Sequence, residues 1–326
     1  MQPGLSEEGL RAAEVSDIRI LAILLPIFLV IGLGYALRRA RFLDAAVSEG
    51  FSRLVFYVAA PALLLQGTAR GGPAWGVSAP LLLVVAAATV LLTLGAYAAL
   101  ARMAPARRGV WVQGAFRSNT VFLGLPLVMY AYGAEALGFA GILIALLVVL
   151  DNLLAVLVLT LPHEERSARD PRLWMGTLAR TLLNPLILAT VSGTLVARAG
   201  LAFPVALDRA LDLVGRTAAP LGLLCVGAGL DFGRLRDEVP ATAAAAAVKL
   251  IAYPAAGYAA LRLLGFEGPD LRATTLVLAC PTAVISYVMA REMRGDGPLA
   301  SAIVIGTTAV SLVTLAGWLL ALGGSP

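Results

Sequence analysis

The chain has 326 residues, of which 60% are hydrophobic and 14% charged. Soluble domains carry about 25% charged residues, so the composition excludes an ordinary soluble enzyme or binding module and indicates an integral membrane protein. The formal charge of +5 rests on 24 Arg and a single Lys, Lys249, which mostly fall between apolar runs; that distribution marks membrane topology and not a nucleic-acid partner.

Residues 1–17 form a polar N-terminal segment. Ten apolar runs follow, near 18–37, 51–69, 79–101, 110–131, 137–161, 173–198, 205–230, 240–264, 271–290 and 298–322. Each is long enough, or nearly so, to cross a hydrocarbon core of about 30 Å. Run 1 exceeds the roughly 7–15 apolar residues of a signal peptide, and the basic cluster Arg38-Arg39-Ala40-Arg41 follows it, so no cleavable leader is expected. The longest polar connection is the loop at 162–172.

The two sides of that loop repeat one another. Pro26 and Pro185 are 159 residues apart, as are Pro61 and Pro220; Pro80 and Pro240 are 160 apart, and Gly133 and Gly295 are 162 apart. The expected fold is therefore an all-α membrane protein of ten transmembrane helices, arranged as two repeats at 18–161 and 173–322. Each repeat has five spans, an odd number, so the second enters the membrane from the opposite side and the repeat is inverted. Loops after odd-numbered runs hold 14 Arg, against 8 in the N-terminal tail and the loops after even-numbered runs. The positive-inside rule then makes the odd loops cytoplasmic. That predicts a multi-pass protein of the cell (inner) membrane with both termini outside and the 162–172 loop cytoplasmic.

Run 4 contains Phe116-Arg117-Ser118-Asn119-Thr120-Val121-Phe122-Leu123-Gly124-Leu125-Pro126-Leu127. Run 9 contains Cys280-Pro281-Thr282-Ala283-Val284-Ile285-Ser286. Both stretches break a helix inside the membrane, which is tolerated only against protein or a wet cavity. Aligning the halves on Gly133 and Gly295 sets Asn119 opposite Pro281 and Thr120 opposite Thr282, at one depth. Two half-helix N-termini meeting there form an anion site from backbone N–H groups. The Asn119 amide and the hydroxyls of Thr120, Thr282 and Ser286 add donors, and Pro126 and Pro281 set the breaks. The substrate expected is a small organic anion. The alternative is that these residues only kink packed helices.

Three further charges lie within runs. Asp151 reads as an ion-pair partner of Lys249 or as a proton-binding coupling group. Arg117 reads as an attractor of the anion, or as a snorkelling or acid-paired base, and Lys249 as a partner of Asp151 or a snorkelling base. Gln66, whose repeat partner is Cys225, reads as a substrate contact or as an interhelical hydrogen-bonding residue. Cys225 and Cys280 lie in apolar runs and His163 in a charged loop, so no metal site and no cofactor is expected. Asp151 and Asp231 do not form an aspartate pair, and no P-loop or H-E-x-x-H pattern occurs. No enzyme activity is expected.

Three stretches resemble the auxin efflux carrier family of membrane transporters, which includes plant PIN proteins and bacterial malate and malonate permeases. They are Leu25-Pro26 to Tyr35 with Val58-Ala59-Ala60-Pro61-Ala62-Leu63-Leu64, then Asn119 to Leu127, similar to the family pattern N-x-x-F-x-G-x-P-L, and Cys280-Pro281-Thr282-Ala283 through Glu292. The resemblance implies a fold like that of bile-acid sodium symporters, with runs 4 and 9 crossing at the substrate. It implies an elevator motion of runs 3, 4, 5, 8, 9 and 10 against a scaffold of runs 1, 2, 6 and 7. It also maps a substrate-binding asparagine onto Asn119 and the crossover proline onto Pro281. The short central loop departs from long plant members and fits a compact prokaryotic one. H⁺ or Na⁺ remain open as coupling ions. A homodimer through runs 2 and 7 is expected if the protein dimerises. The rival readings are a sodium-coupled symporter of bulkier acids and, from another class, a channel or receptor.

Overall fold

The structure, a computed structural model, describes residues 7–70, 78–161, 183–230 and 238–322, together with 171, 172, 175, 176 and 179; for residues 7–19 it describes the backbone alone. Most of the expected 162–172 loop, including His163, lies outside the described residues, as do residues 1–6, Arg180 and Asp231.

The described residues are helical, with no strand among them. Seven helices are long and apolar enough to cross a membrane: Ile20–Arg39, Ala45–Arg70, Ala79–Ala99, Ala134–Thr160, Val205–Ala228, Val239–Leu263 and Gly297–Ala321; Thr120–Tyr132 and Pro185–Arg198 are shorter apolar helices. They coincide with apolar runs 1, 2, 3, 5, 7, 8 and 10 of the sequence. Runs 4 and 9 are interrupted, and run 6 is described in full only from residue 183 onward.

In chain order, α1 is Glu7–Arg39, so the first helix extends back into the polar N-terminal segment. Leu21, Leu25, Leu29 and Leu33 lie four residues apart on it and are all exposed, whereas Leu24 and Ile27 are buried. A helix apolar on both its inner and outer faces belongs in lipid. Next, α2 (Ala45–Leu54) starts on an Asp44 side chain that caps Val47 N, and α3 (Ala60–Arg70) continues it. Ser78 caps α4 (Ala79–Ala99). Then come α5 (Pro105–Phe116), α6 (Leu125–Tyr132) and α7 (Leu137–Thr160). In the second half, Asn184 caps α8 (Pro185–Arg198), followed by α9 (Val205–Gly215) and α10 (Ala218–Ala228). The chain closes with α11 (Val239–Ala247), α12 (Tyr253–Leu263), α13 (Gly268–Ala279), α14 (Ile285–Glu292) and α15 (Gly297–Ala321).

Three π-turns interrupt this order, at Val55–Ala59, Thr120–Gly124 and Val248–Ala252. Each ends two residues before a proline: Pro61, Pro126 and Pro254. Proline has no N–H for the carbonyl four residues back and its ring crowds that carbonyl, so the helix widens locally. The carbonyl that Pro254 leaves unbonded is that of Leu250, and the Trp318 indole N–H donates to it at 2.8 Å.

Two helix pairs make the most extensive contacts, and a second core lies beside the main one. α1 lies against α10, and α3 against α8. Gly34 makes the first contact close, since a Cβ there would collide with the Leu224 carbonyl; Gly193 does the same in the second, against the Leu65 carbonyl and Thr68. Around the other helices, α5, α7, α11 and α15 share a core that includes Val110, Phe116, Val158, Ala245 and Ile303. One end of this second group is clamped by charge. Arg107 donates to Glu238 at 2.9 and 2.6 Å and to Asp296 at 2.9 Å, and its hydrogen bond holds the Glu238 carboxyl below the usual carboxylate range.

Candidate functional site

The site is where runs 4 and 9 break. α5 ends at Phe116, and Arg117 is extended at φ −72°, ψ 108°. The chain then passes through Ser118 and Asn119 into the π-turn and α6. In the other half α13 ends at Ala279, Cys280 is extended at φ −58°, ψ 145°, and helix resumes at α14. The two extended pieces cross antiparallel, Ser118 against Thr282. Asn119 N donates to the Pro281 carbonyl at 2.8 Å, and Ala283 N donates to the Arg117 carbonyl at 3.2 Å. Two broken helices thus satisfy part of each other's backbone inside the protein, as buried N–H and C=O groups require.

Around this crossing the structure gathers nine of the ten residues singled out from sequence. Asn119 is 2% exposed, and its side-chain Nδ2 is buried with no hydrogen-bond partner. Its backbone carbonyl accepts from Leu123 N and Gly124 N, which starts the second half-helix. Thr120 is buried as the first residue of the π-turn, and Pro126 is buried at the start of α6. Pro281 supplies its carbonyl to Asn119. Thr282 differs from Asn119, because its hydroxyl donates to the Gly114 carbonyl at 2.7 Å and its N–H donates to Thr307 Oγ1 at 3.1 Å. Ser286 sits in the first turn of α14, buried, and its Oγ has no partner. A buried polar group without a partner costs about 1–3 kcal/mol, and folded proteins hold few of them. Asn119 and Ser286 each carry such a group.

The three intramembrane charges also converge here. Arg117 donates to Asn152 Oδ1 at 2.7 Å and to Met289 Sδ at 2.8 Å. Lys249, fully buried, donates to Ser118 Oγ at 2.8 Å and to the Leu278 carbonyl at 2.6 Å. Asp151 is buried with Oδ1 unpartnered; its electrostatic neighbours are Arg117 and Lys249, and the Ser118 N–H donates to it. Two bases therefore face one carboxyl beneath the crossing. Gln66 lies elsewhere: its amide donates to the Asp208 carbonyl at 2.8 Å and to Asp208 Oδ1 at 2.9 Å, and Arg70 pairs with the same carboxylate.

Several residues that build the site were not singled out from sequence. Ser118 links Lys249 to the crossing, Thr307 receives the Thr282 N–H, and Met289 receives Arg117. Thr307 carried a signal, standing in the polar group Thr307-Thr308…Ser311 of an otherwise apolar run. Met289 carried none, because a thioether in an apolar run looks like core.

The sequence profile of the family described as "Membrane transport protein" matches residues 19–319. A protein of Rhizobium meliloti (strain 1021) described as "Putative malonate transporter" is 27% identical over 92% of this chain and 95% of its own length. An "Uncharacterized transporter" of Methanothermobacter thermautotrophicus is 25% identical over 90% of this chain and 95% of its own length. With the profile spanning nearly the whole sequence, from the first apolar run to the last, the chain belongs to this family of membrane transporters, the auxin efflux carrier family that its motifs resemble.

Proposed function

We propose that the protein is a secondary transporter or facilitator of small organic anions, dicarboxylates such as malonate or malate or auxin-like acids, and that the anion binds at the crossing of runs 4 and 9. The observation that carries this reading is the Asn119 amide, a buried donor with no acceptor. A carboxylate oxygen is the acceptor such a donor lacks. The excess of bases over acids beneath the crossing favours negative charge there, as do the N-terminal ends of two half-helices. The relative described as a malonate transporter belongs to the same chemical class.

The ten-span, five-plus-five inverted architecture is supported by repeat-related contacts. Gly34 meets Leu224, and Gly193 meets Leu65; moving 159 residues along the chain converts Gly34 into Gly193 and Leu65 into Leu224. A two-fold relation between the halves requires this reciprocity. Runs 1, 2, 6 and 7 then act as the scaffold and the remaining runs as the moving elevator. The half-helices after the two breaks are unequally packed: six of the eight residues of α6 are buried, against two of eight in α14. Alternating access needs such an inequality, exchanged between the two states. With the odd loops cytoplasmic and both termini outside the inner membrane, α14 faces the cytoplasm and this conformation is inward-open. A homodimer would use the exposed apolar faces of runs 2 and 7, which include Tyr57, Val58 and Leu213; failure of single-cysteine variants on those faces to cross-link would remove it.

The function is tested in proteoliposomes. Malonate, malate and indole acetate are offered in turn, with tracer uptake and currents recorded with and without Na⁺ and a pH step. Saturable uptake of at least one acid is expected. No uptake of any of them, by tracer or current, would contradict the reading.

A further inference from the structure

The hydrogen bonding of Lys249 has no role in holding the anion as described above. We propose that its ammonium is a tethered cation that fills a cation-binding position between the two broken helices, so that the transporter works without a bound metal cation such as Na⁺. This deepens the anion-transport reading by naming the ion requirement of the same site.

The argument starts from the break in run 9. In an unbroken helix the Leu278 carbonyl would accept from Thr282 N–H. That N–H is given instead to Thr307 Oγ1, so the carbonyl near the C-terminal end of α13 lacks its helical donor, at the negative end of a half-helix, and the Ser118 hydroxyl reaches it only at 3.4 Å. Freed carbonyls at such ends are where membrane transporters coordinate small cations. Here the Lys249 Nζ approaches that carbonyl to 2.6 Å. Its second acceptor, Ser118 Oγ at 2.8 Å, comes from the break in run 4. The Asp151 carboxyl, whose Oδ1 has no partner, is an electrostatic neighbour, and the Tyr253 ring lies 5.0 Å away. A carbonyl, a hydroxyl, a carboxylate and an aromatic face are the ligands a monovalent cation would be offered. Lys249 reaches them from the π-turn Val248–Ala252 that Pro254 imposes on its helix. A long side chain with a compact ammonium suits this position, whereas a guanidinium is too broad for it. The ammonium joins one oxygen from each break, so it also ties the two crossing segments together.

The test uses the full-length protein in detergent and does not depend on any substrate. Thermal stability is measured for the wild type, Lys249→Ala and Lys249→Gln in choline chloride, NaCl and propylammonium chloride at matched ionic strength. Propylammonium is the part of the side chain that Lys249→Ala removes. Tm of Lys249→Ala is expected to rise with the logarithm of propylammonium or Na⁺ concentration, as for a ligand that binds only the folded state. Tm of the wild type is expected to be the same in NaCl and choline chloride, and the Gln variant, which still fills the space, should respond less than the Ala variant. A wild type stabilised specifically by Na⁺ would overturn the proposal, as would an Ala variant indifferent to both cations. Recovery of Lys249→Ala only in preparations containing propylammonium or Na⁺ supports it, and failure in every cation counts against it. None of these outcomes requires malonate or any other acid to be the true substrate, so a failed transport assay leaves them readable.

Discussion

Asn119 and Thr282 lie on the two segments of one crossing and do different work. The Thr282 hydroxyl is engaged by Gly114 and its amide by Thr307, so this residue holds the break together. The Ser286 hydroxyl and the Asn119 amide are buried and have no protein partner, which is what the proposed anion site requires of them. Sequence alone grouped all of them, because residue type reveals a polar group inside the membrane but not whether a neighbour already satisfies it. Gln66 shows the same limit from the other side: a deep glutamine looked equally like a substrate contact and a helix-to-helix bond, and its amide is occupied by Asp208. The two kinds of residue separate by experiment. Ser286→Ala removes an unmet polar group and is expected to leave Tm unchanged or slightly higher while weakening apparent affinity for the transported acid several-fold. Thr282→Val removes a satisfied bond and is expected to lower stability by about 1 kcal/mol. Thermal melts and uptake titrations on the two variants check this, and a large loss of stability in Ser286→Ala would show that its hydroxyl has a structural partner.

Hydropathy revealed the elements well where they are continuous. The ends of runs 3, 7, 8 and 10 fall within two residues of the helices they describe, and those of run 5 within three, because a membrane span must be both apolar and unbroken. Runs 4 and 9 were legible for the opposite reason: Asn, Pro, Ser and Thr in an apolar run imply backbone that must be satisfied by something else. What supplies it, the antiparallel pairing of Ser118 with Thr282, was not legible, since the pairing joins residues 164 apart through backbone atoms that every residue shares. The π-turns were equally hidden, although the prolines that cause them stand in plain view. Close helix contacts make a sharper prediction at this scale. Gly34→Ala would drive a methyl into the Leu224 backbone, whereas Gly32, two residues away, has open space around its Cβ position. Gly34→Ala is expected to destabilise by about 1–3 kcal/mol and to reduce folded yield, with Gly32→Ala near neutral. Equal melting curves for the two would mean that α1 and α10 do not pack as described.

For the molecule as a whole, the chain divides its glycines and its charges by purpose. Glycine lets α1 approach α10, and α8 approach α3, closely in lipid, where there is no hydrophobic drive between helices and van der Waals packing must hold them. Among the described residues charge gathers at two places, the Arg107 clamp and the buried group of Arg117, Asp151 and Lys249 beside the crossing. The second is costly to bury, and a binding site for an anion gives it a reason to be there. The central claim is that the Asn119 amide meets the carboxylate of the transported acid. Equilibrium binding of labelled acid to purified wild type and Asn119→Ala tests it most directly, beside thermal melts that establish folding. Loss of a hydrogen bond to a charged group, about 1.5–3 kcal/mol, predicts affinity roughly 10- to 100-fold weaker in Asn119→Ala, with Tm no lower than wild type. A folded Asn119→Ala that binds the acid as tightly as the wild type would contradict the account and leave the two breaks as kinks in packed helices.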